Sequence, residues 1–150
     1  MNQSDTIRCV LERKGREIYS VTPRTTVFDA LETMAREDIG ALPVIDEVGQ
    51  LWGVFSERDY ARKVALYGRS SRDLTVDAIM TAEVVTCTPE HTVEECMQLM
   101  TTYRCRHLPV LEKGRVTAMV SIGDLVKYVI SMQEQEIKHL HAYIAGSYGG

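Results

Sequence analysis

Laid against itself at an offset of 66 positions, the sequence falls into register: Thr22, Pro23, Thr26, Val27, Met34, Leu42, Pro43 and Val44 land on Thr88, Pro89, Thr92, Val93, Met100, Leu108, Pro109 and Val110. One residue is then lost, and Gly49, Ser56 and Asp59 match Gly114, Ser121 and Asp124 at an offset of 65. The loss falls in what reads as a hairpin turn, where a change of loop length costs least. A chain made of two copies of one unit is tightly constrained, because whatever one copy folds into must suit the other.

In the first copy, Glu17 to Val21 alternates as a short strand, broken by Thr22-Pro23. Val27, Ala30, Leu31 and Met34 recur at helical spacing behind a cap at Thr25 or Thr26. Leu42 to Ile45 reads as a buried strand, Asp46 to Gly49 as a turn, Leu51 to Phe55 as the returning strand, and Glu57 to about Leu66 as a second helix. The predicted three-stranded sheet is too small to bury both of its faces alone. The expected fold class is therefore α+β, two βαββα repeats packed sheet to sheet with pseudo-twofold symmetry. The expected segments are a first repeat over 7–67, a polar linker over 68–78, a second repeat over 79–131, and a C-terminal helix extension with its tail over 132–150. Along that last helix Leu125, Val129, Met132, Ile137, Leu140 and Ile144 keep a broken apolar stripe, and the run from Gly146 to Gly150 is expected to end it.

Composition narrows the function. With 25% charged and 45% hydrophobic residues in 150, the chain is an ordinary globular one, long enough to bury a core. A net charge of −4 and few aromatic residues argue against a nucleic-acid partner, and no apolar run approaches the length of a membrane span. The N-terminus lacks the features of a signal peptide, so a cytoplasmic location is expected. The four cysteines show no CxxC spacing and read as free thiols, Cys96 on a core-facing stripe. Neither Cys105 with His107 as nucleophile and base, nor these two with Cys87 and His91 as metal ligands, has the close, regular spacing of a known motif, and no third orienting group stands beside them. No Gly-x-x-x-x-Gly-Lys or Gly-x-Gly-x-x-Gly occurs either, so no catalytic residues and no metal ligands are expected.

The chemistry gathers where a strand runs into a helix, at Leu-Trp-Gly-Val-Phe-Ser-Glu-Arg-Asp over residues 51–59. Ser56 stands at an N-cap position with Asp59 three residues on, a capping-box spacing common by accident, but Ser121 and Asp124 repeat it in the matching place. A local basic concentration, Arg104, Arg106 and His107, occupies the positions equivalent to Asp38, Gly40 and Ala41. It reads either as a solvated edge or as an anion site.

Together with Val-Thr-Pro-x-x-Thr-Val and Gly-Ala-Leu-Pro-Val-Ile-Asp, these residues make the stretch from about 7 to 131 resemble the tandem cystathionine-beta-synthase (CBS) domain pair, or Bateman module. It is most similar to the small stand-alone bacterial type carrying Ser-Glu-Arg-Asp-Tyr-x-Arg-Lys. The resemblance implies a non-catalytic regulatory module that senses an adenine nucleotide, AMP, ATP or NAD, between its repeats. On that resemblance Asp59 would accept hydrogen bonds from both ribose hydroxyls, and Ser56 would cap its helix and donate to sugar or phosphate. Gly40 and Ala41 would bring backbone close to the adenine, and Thr22 would add a contact to the base. Arg106 and His107 would reach across the axis to the phosphate, assisted by Arg58. A second, weaker site would hold Thr88, Ser121 and Asp124, with Ile122 and Gly123 in place of Glu57 and Arg58. The alternative is a constitutive dimerisation or scaffold subunit with an empty cleft. A homodimer is expected in either case, through Ala61, Val64, Ala65, Val126, Val129 and Ile130.

Overall fold

A computed structural model describes residues 5–149, with side chains described as far as 145. The elements run α1 (Ile7–Lys14), α2 (Val27–Glu37), β1 (Ala41–Ile45), β2 (Leu51–Ser56), α3 (Glu57–Tyr60), α4 (Val93–Tyr103), β3 (His107–Glu112), β4 (Arg115–Ser121) and α5 (Ile122–Gly149). A π-helical segment, Ala61–Ala65, continues α3, and a single 3-10 turn lies at Val76–Ala78.

The two copies fold alike, giving the α+β class. In each, a threonine caps the first helix: Thr26 accepts from the Asp29 N–H, and Thr92 accepts from Glu95 and completes a capping box with it. Each of these helices ends on a non-glycine residue in the left-handed conformation, Asp38 at φ 54° and Arg104 at φ 53°. An antiparallel hairpin follows, β1 with β2 and β3 with β4, and both hairpins shift register near the turn, after Val44 and after Val110.

The expected third strand of each sheet is corrected to a single bridge. Among the described residues the sheets are two-stranded, and each predicted third strand contributes one bridge, Val21 with Val44 and Cys87 with Val110. The proline two residues later has no N–H to extend a ladder, and the backbone already turns towards the helix: Thr25 N–H donates to Thr22 O, and His91 N–H to Thr88 O. The expected helix stop at Gly146 is also corrected, since α5 continues to Gly149; Gly150 lies outside the described residues.

Two cores result, and their membership crosses the chain. Val21, Val27, Ala30, Met34, Leu42, Val44, Phe55 and Val64 form the first with Val76 and Ile79, which the sequence places in or beside the linker. The second core gathers Cys87, Val93, Cys96, Met100, Leu108 and Leu125 around Ile7, Val10 and Leu11 of α1. The N-terminal helix therefore packs on the second repeat and the linker on the first. Backbone hydrogen bonds repeat the crossing, Val27 N–H to Leu74 O at 2.9 Å and Val93 N–H to Asp5 O at 2.8 Å. Val64 being fully buried corrects its assignment to a dimer face: the helix turns that side to its own core.

Candidate functional site

The Ser-x-x-Asp motifs form two capping boxes of matching geometry. Ser56 N–H donates to Asp59 Oδ2 at 3.0 Å while Asp59 N–H donates to Ser56 Oγ at 3.2 Å; the Ser121–Asp124 distances are 2.9 and 3.1 Å. Both boxes open on a cleft, and the clefts differ.

The Asp59 cleft has a volume of about 850 Å³ and lies between the repeats. Its first wall is Gly40, Ser56, Glu57, Arg58 and Asp59 with Arg62, Lys63 and Thr81, which pairs with Val54 of β2; the other lining residues are Glu83, Val84 and Val85 with the run from Tyr103 to His107. Six bases, Arg58, Arg62, Lys63, Arg104, Arg106 and His107, thus face three acids, Glu57, Asp59 and Glu83, making the cleft locally cationic on an acidic protein. The strand-to-helix junction supplies the first wall, and the left-handed turn at Arg104 aims the run from Tyr103 to His107. Arg58 bridges them, its guanidinium donating to the Arg104 carbonyl at 3.1 Å.

Asp59 is 7% exposed, and both carboxylate oxygens are held. Oδ2 accepts from the Ser56 N–H and hydroxyl, each at 3.0 Å, and Oδ1 accepts from the Thr81 hydroxyl at 3.0 Å with the Lys63 ammonium 3.2 Å away. Lys63 also donates to Ile79 O. The π-helical segment that carries Arg62 and Lys63 is where the expected regular helix departs from its period, and both residues line the cleft.

The Asp124 cleft is about 240 Å³ and is lined by Lys14, Glu17, Tyr19, Asp38, Gly40, Ala41, His107, Ser121 and Asp124 among others. Lys14 closes on the carboxylate, with Nζ 2.7 Å from Asp124 Oδ2 and 2.8 Å from Met119 O. Burial alone would raise the Asp124 carboxyl, but hydrogen bonds from Lys14 and from the Ser121 backbone outweigh it and hold it below its ordinary value.

Of the residues named from sequence for the main site, Gly40, Ser56, Arg58, Asp59, Arg106 and His107 therefore meet in one cleft. Ala41 lines the other one, beside Ser121 and Asp124. Thr22 and Thr88 line neither: the Thr22 hydroxyl lies 3.0 Å from Thr25 Oγ1 and that of Thr88 3.0 Å from His91 Nδ1, closing the turns before the helices. The open face of Gly40 is covered by His107, whose Cε1 would lie 3.6 Å from a Cβ placed there. Burial pushes the His107 imidazole below its ordinary value; Asp124 opposes this, and Lys14 and Arg106 add to it. Sequence reasoning missed Thr81 and Lys14. The repeat itself carried the signal, since the segments leading into the two copies occupy matched places in opposite clefts.

The sequence pattern that defines the CBS domain matches residues 14–66 and again 76–131. The chain belongs to the CBS-domain family. A mitochondrial CBS domain-containing protein of Arabidopsis thaliana, CBSX3, is 42% identical, the match covering 97% of this chain and 75% of that protein. The solved structure of a CBS-domain protein from Burkholderia ambifaria superposes with a TM-score of 0.80 at 48% identity, over 84% of this chain and 94% of that one. The CBS domain pair of protein MJ0100, solved with 5′-methylthioadenosine and S-adenosyl-L-methionine, shares the fold at a TM-score of 0.73 and 22% identity, over 83% of this chain and 98% of that one.

Proposed function

We propose that this CBS pair is a non-catalytic regulatory module that binds an adenine nucleotide in the Asp59 cleft and signals through the packing of its repeats, with two copies associating as a homodimer. The observation that carries the reading is a buried carboxylate, at a helix start in a cationic cleft, that already holds two hydroxyl groups. The hydroxyls of Ser56 and Thr81 sit one on each oxygen of Asp59, the arrangement two neighbouring ribose hydroxyls would adopt on replacing them. Arg58, Arg104, Arg106 and His107 line the same cleft, and guanidinium groups there favour AMP, ATP or NAD over an uncharged nucleoside. Adenosine-type ligands bound by the related MJ0100 pair point to the same class.

A second reading, a constitutive scaffold, is favoured by the same carboxylate having every strong partner it needs from the protein itself. Ligand titration separates the two. AMP at a hundred times its dissociation constant should stabilise the protein against unfolding by about 2.7 kcal/mol, whereas a scaffold shows no shift with any adenosyl compound. Asp59→Asn should weaken AMP and adenosine alike by about 1.5–3 kcal/mol, the loss of a charge-assisted hydrogen bond. Arg106→Ala should weaken AMP and leave adenosine unchanged. Identical ligand profiles for the two variants would contradict the assignment.

A further inference from the structure

Helix α5 carries two different apolar stripes. Leu125, Tyr128, Val129 and Met132 face the second core. Val126 and Ile130 lie on another side, and after Met132 the core-facing stripe has nothing left to cover. Residues 133–145 are exposed on every side, so the helix projects from the fold. A free helical stretch of that length is marginal in water without tertiary packing.

The outer stripe continues along the projection with spacings of four and three: Val126, Ile130, Gln133, Ile137, Leu140, Ile144. This is the 3.5-residue period of a coiled-coil seam, with Ile130, Ile137 and Ile144 at a positions and Val126, Gln133 and Leu140 at d. The five apolar members are each between 41% and 57% exposed.

We propose that this seam pairs with the same seam of a second copy as a parallel, in-register, two-stranded coiled coil. β-Branched isoleucine at all three a positions, with leucine at the d position Leu140, follows the pattern that favours two parallel strands over higher oligomers, while Val126 and Gln133 occupy the other two d positions. Gln133 fixes register and direction. In a parallel pair d faces d, and Gln133 meets Gln133 of the partner subunit, so each amide has a donor and an acceptor opposite it. In an antiparallel pair a faces d, every a residue is isoleucine, and Gln133 would be buried against an aliphatic side chain with its amide unsatisfied. The proposal rests on the reading that two copies associate, and it says which surface joins them.

The full chain is the material for the test. Sedimentation velocity at tens of micromolar should show a dimer for the wild type and a monomer for Ile137→Asp/Leu140→Asp, with unchanged thermal unfolding of the core, since both positions are solvent-exposed in one copy. A wild-type monomer, including one that pairs only with some other protein, overturns both the dimer and the seam; a double variant that stays dimeric overturns the seam alone. Direction is read independently with Gln133→Cys in a Cys9→Ser/Cys105→Ser background under mild oxidation. Rapid formation of a covalent dimer, absent without the new cysteine, is expected, and its failure to form overturns the parallel register.

Discussion

Asp59 and His107 are tied together by the cleft they share, and each can be tested alone. His107 has its folded pKa pushed down by burial, so the unfolded chain, titrating near 6.5, takes up its proton first and stability falls as pH drops beneath that value. A phosphate arriving at the cleft reverses the preference and draws a proton onto the ring. Binding of AMP should therefore take up protons and tighten as pH falls towards the lowered folded value of His107, beneath its ordinary value of about 6.5, while adenosine binding should be flat. Calorimetry in two buffers of different ionisation enthalpy measures the uptake, and His107→Gln should remove it; uptake that survives the substitution shows that another group titrates. Gly53 is set by proximity: a Cβ there would lie 2.5 Å from Thr81 O and 3.0 Å from Met80 Sδ. Thr81 cannot withdraw freely, because its N–H and carbonyl both pair with Val54. Gly53→Ala should lose about 1–3 kcal/mol in denaturant unfolding, an overpacking cost, and should move the hydroxyl that holds Asp59 Oδ1. No loss of stability would mean that this strand contact is loose.

At the scale of elements, one motif has two outcomes because different segments lead into it. The capping boxes before α3 and at the start of α5 match, yet the first is reached by the Thr81 hydroxyl and the second by the Lys14 ammonium, from the last turn of α1. Asp59 also has an ammonium beside it, Lys63 at 3.2 Å, but that side chain comes from the turn following the same box. The Thr81 hydroxyl on this first carboxylate can be exchanged for a sugar hydroxyl at little cost. Lys14, by contrast, reaches Asp124 at 2.7 Å from a different element and also donates to Met119 O, so it covers the second carboxylate. Lys14→Ala should thus expose Asp124 and strengthen adenosine binding at the weaker second site, read as stoichiometry in calorimetry. An unchanged stoichiometry would mean that shape, not Lys14, closes that cleft. The same change should reduce acid resistance. Asp124 has a lowered folded pKa, so its contribution is present above its unfolded value near 3.9 and is lost as pH falls through the lower folded value.

For the whole molecule the pseudo-symmetry is geometric and the charge is not. The Asp59 cleft is large and cationic, whereas the Asp124 cleft is less than a third of its volume, with Glu17, Asp38 and Asp124 against Lys14 and His107. Ligand pockets ordinarily start at about 300 Å³. One strong phosphorylated-ligand site per chain is expected, weakened by Asp59→Asn by about 1.5–3 kcal/mol and little altered by Asp124→Asn; two equal sites, or the reverse pattern of variants, would sink this asymmetry. A ligand in the larger cleft would touch both repeats, and Arg58 already spans them through the Arg104 carbonyl. On the proposed function, occupancy would thereby be linked to how the repeats sit against one another, the physical content of a regulatory signal.

The meeting of Ser56, Arg58, Asp59, Arg106 and His107 in one cleft was legible only through the resemblance to the CBS pair; the sequence by itself determined the repeat, the α+β class, the hairpins and the helix caps. These follow from local rules, since periodicity, turn chemistry and capping act within a few residues and the duplication carries each assignment to the second copy. What it left undetermined are contacts between segments far apart in the chain. That α1 packs on the second core and the linker on the first, that Thr81 and Lys14 take opposite carboxylates, that Ala41 serves the smaller cleft, and that Val64 turns inward depend on which surfaces the two copies bury together. An offset alignment shows that two segments are equivalent; only tertiary packing, by burying Ile7 and Leu11 against the second repeat and Val76 against the first, decides which partner each one meets.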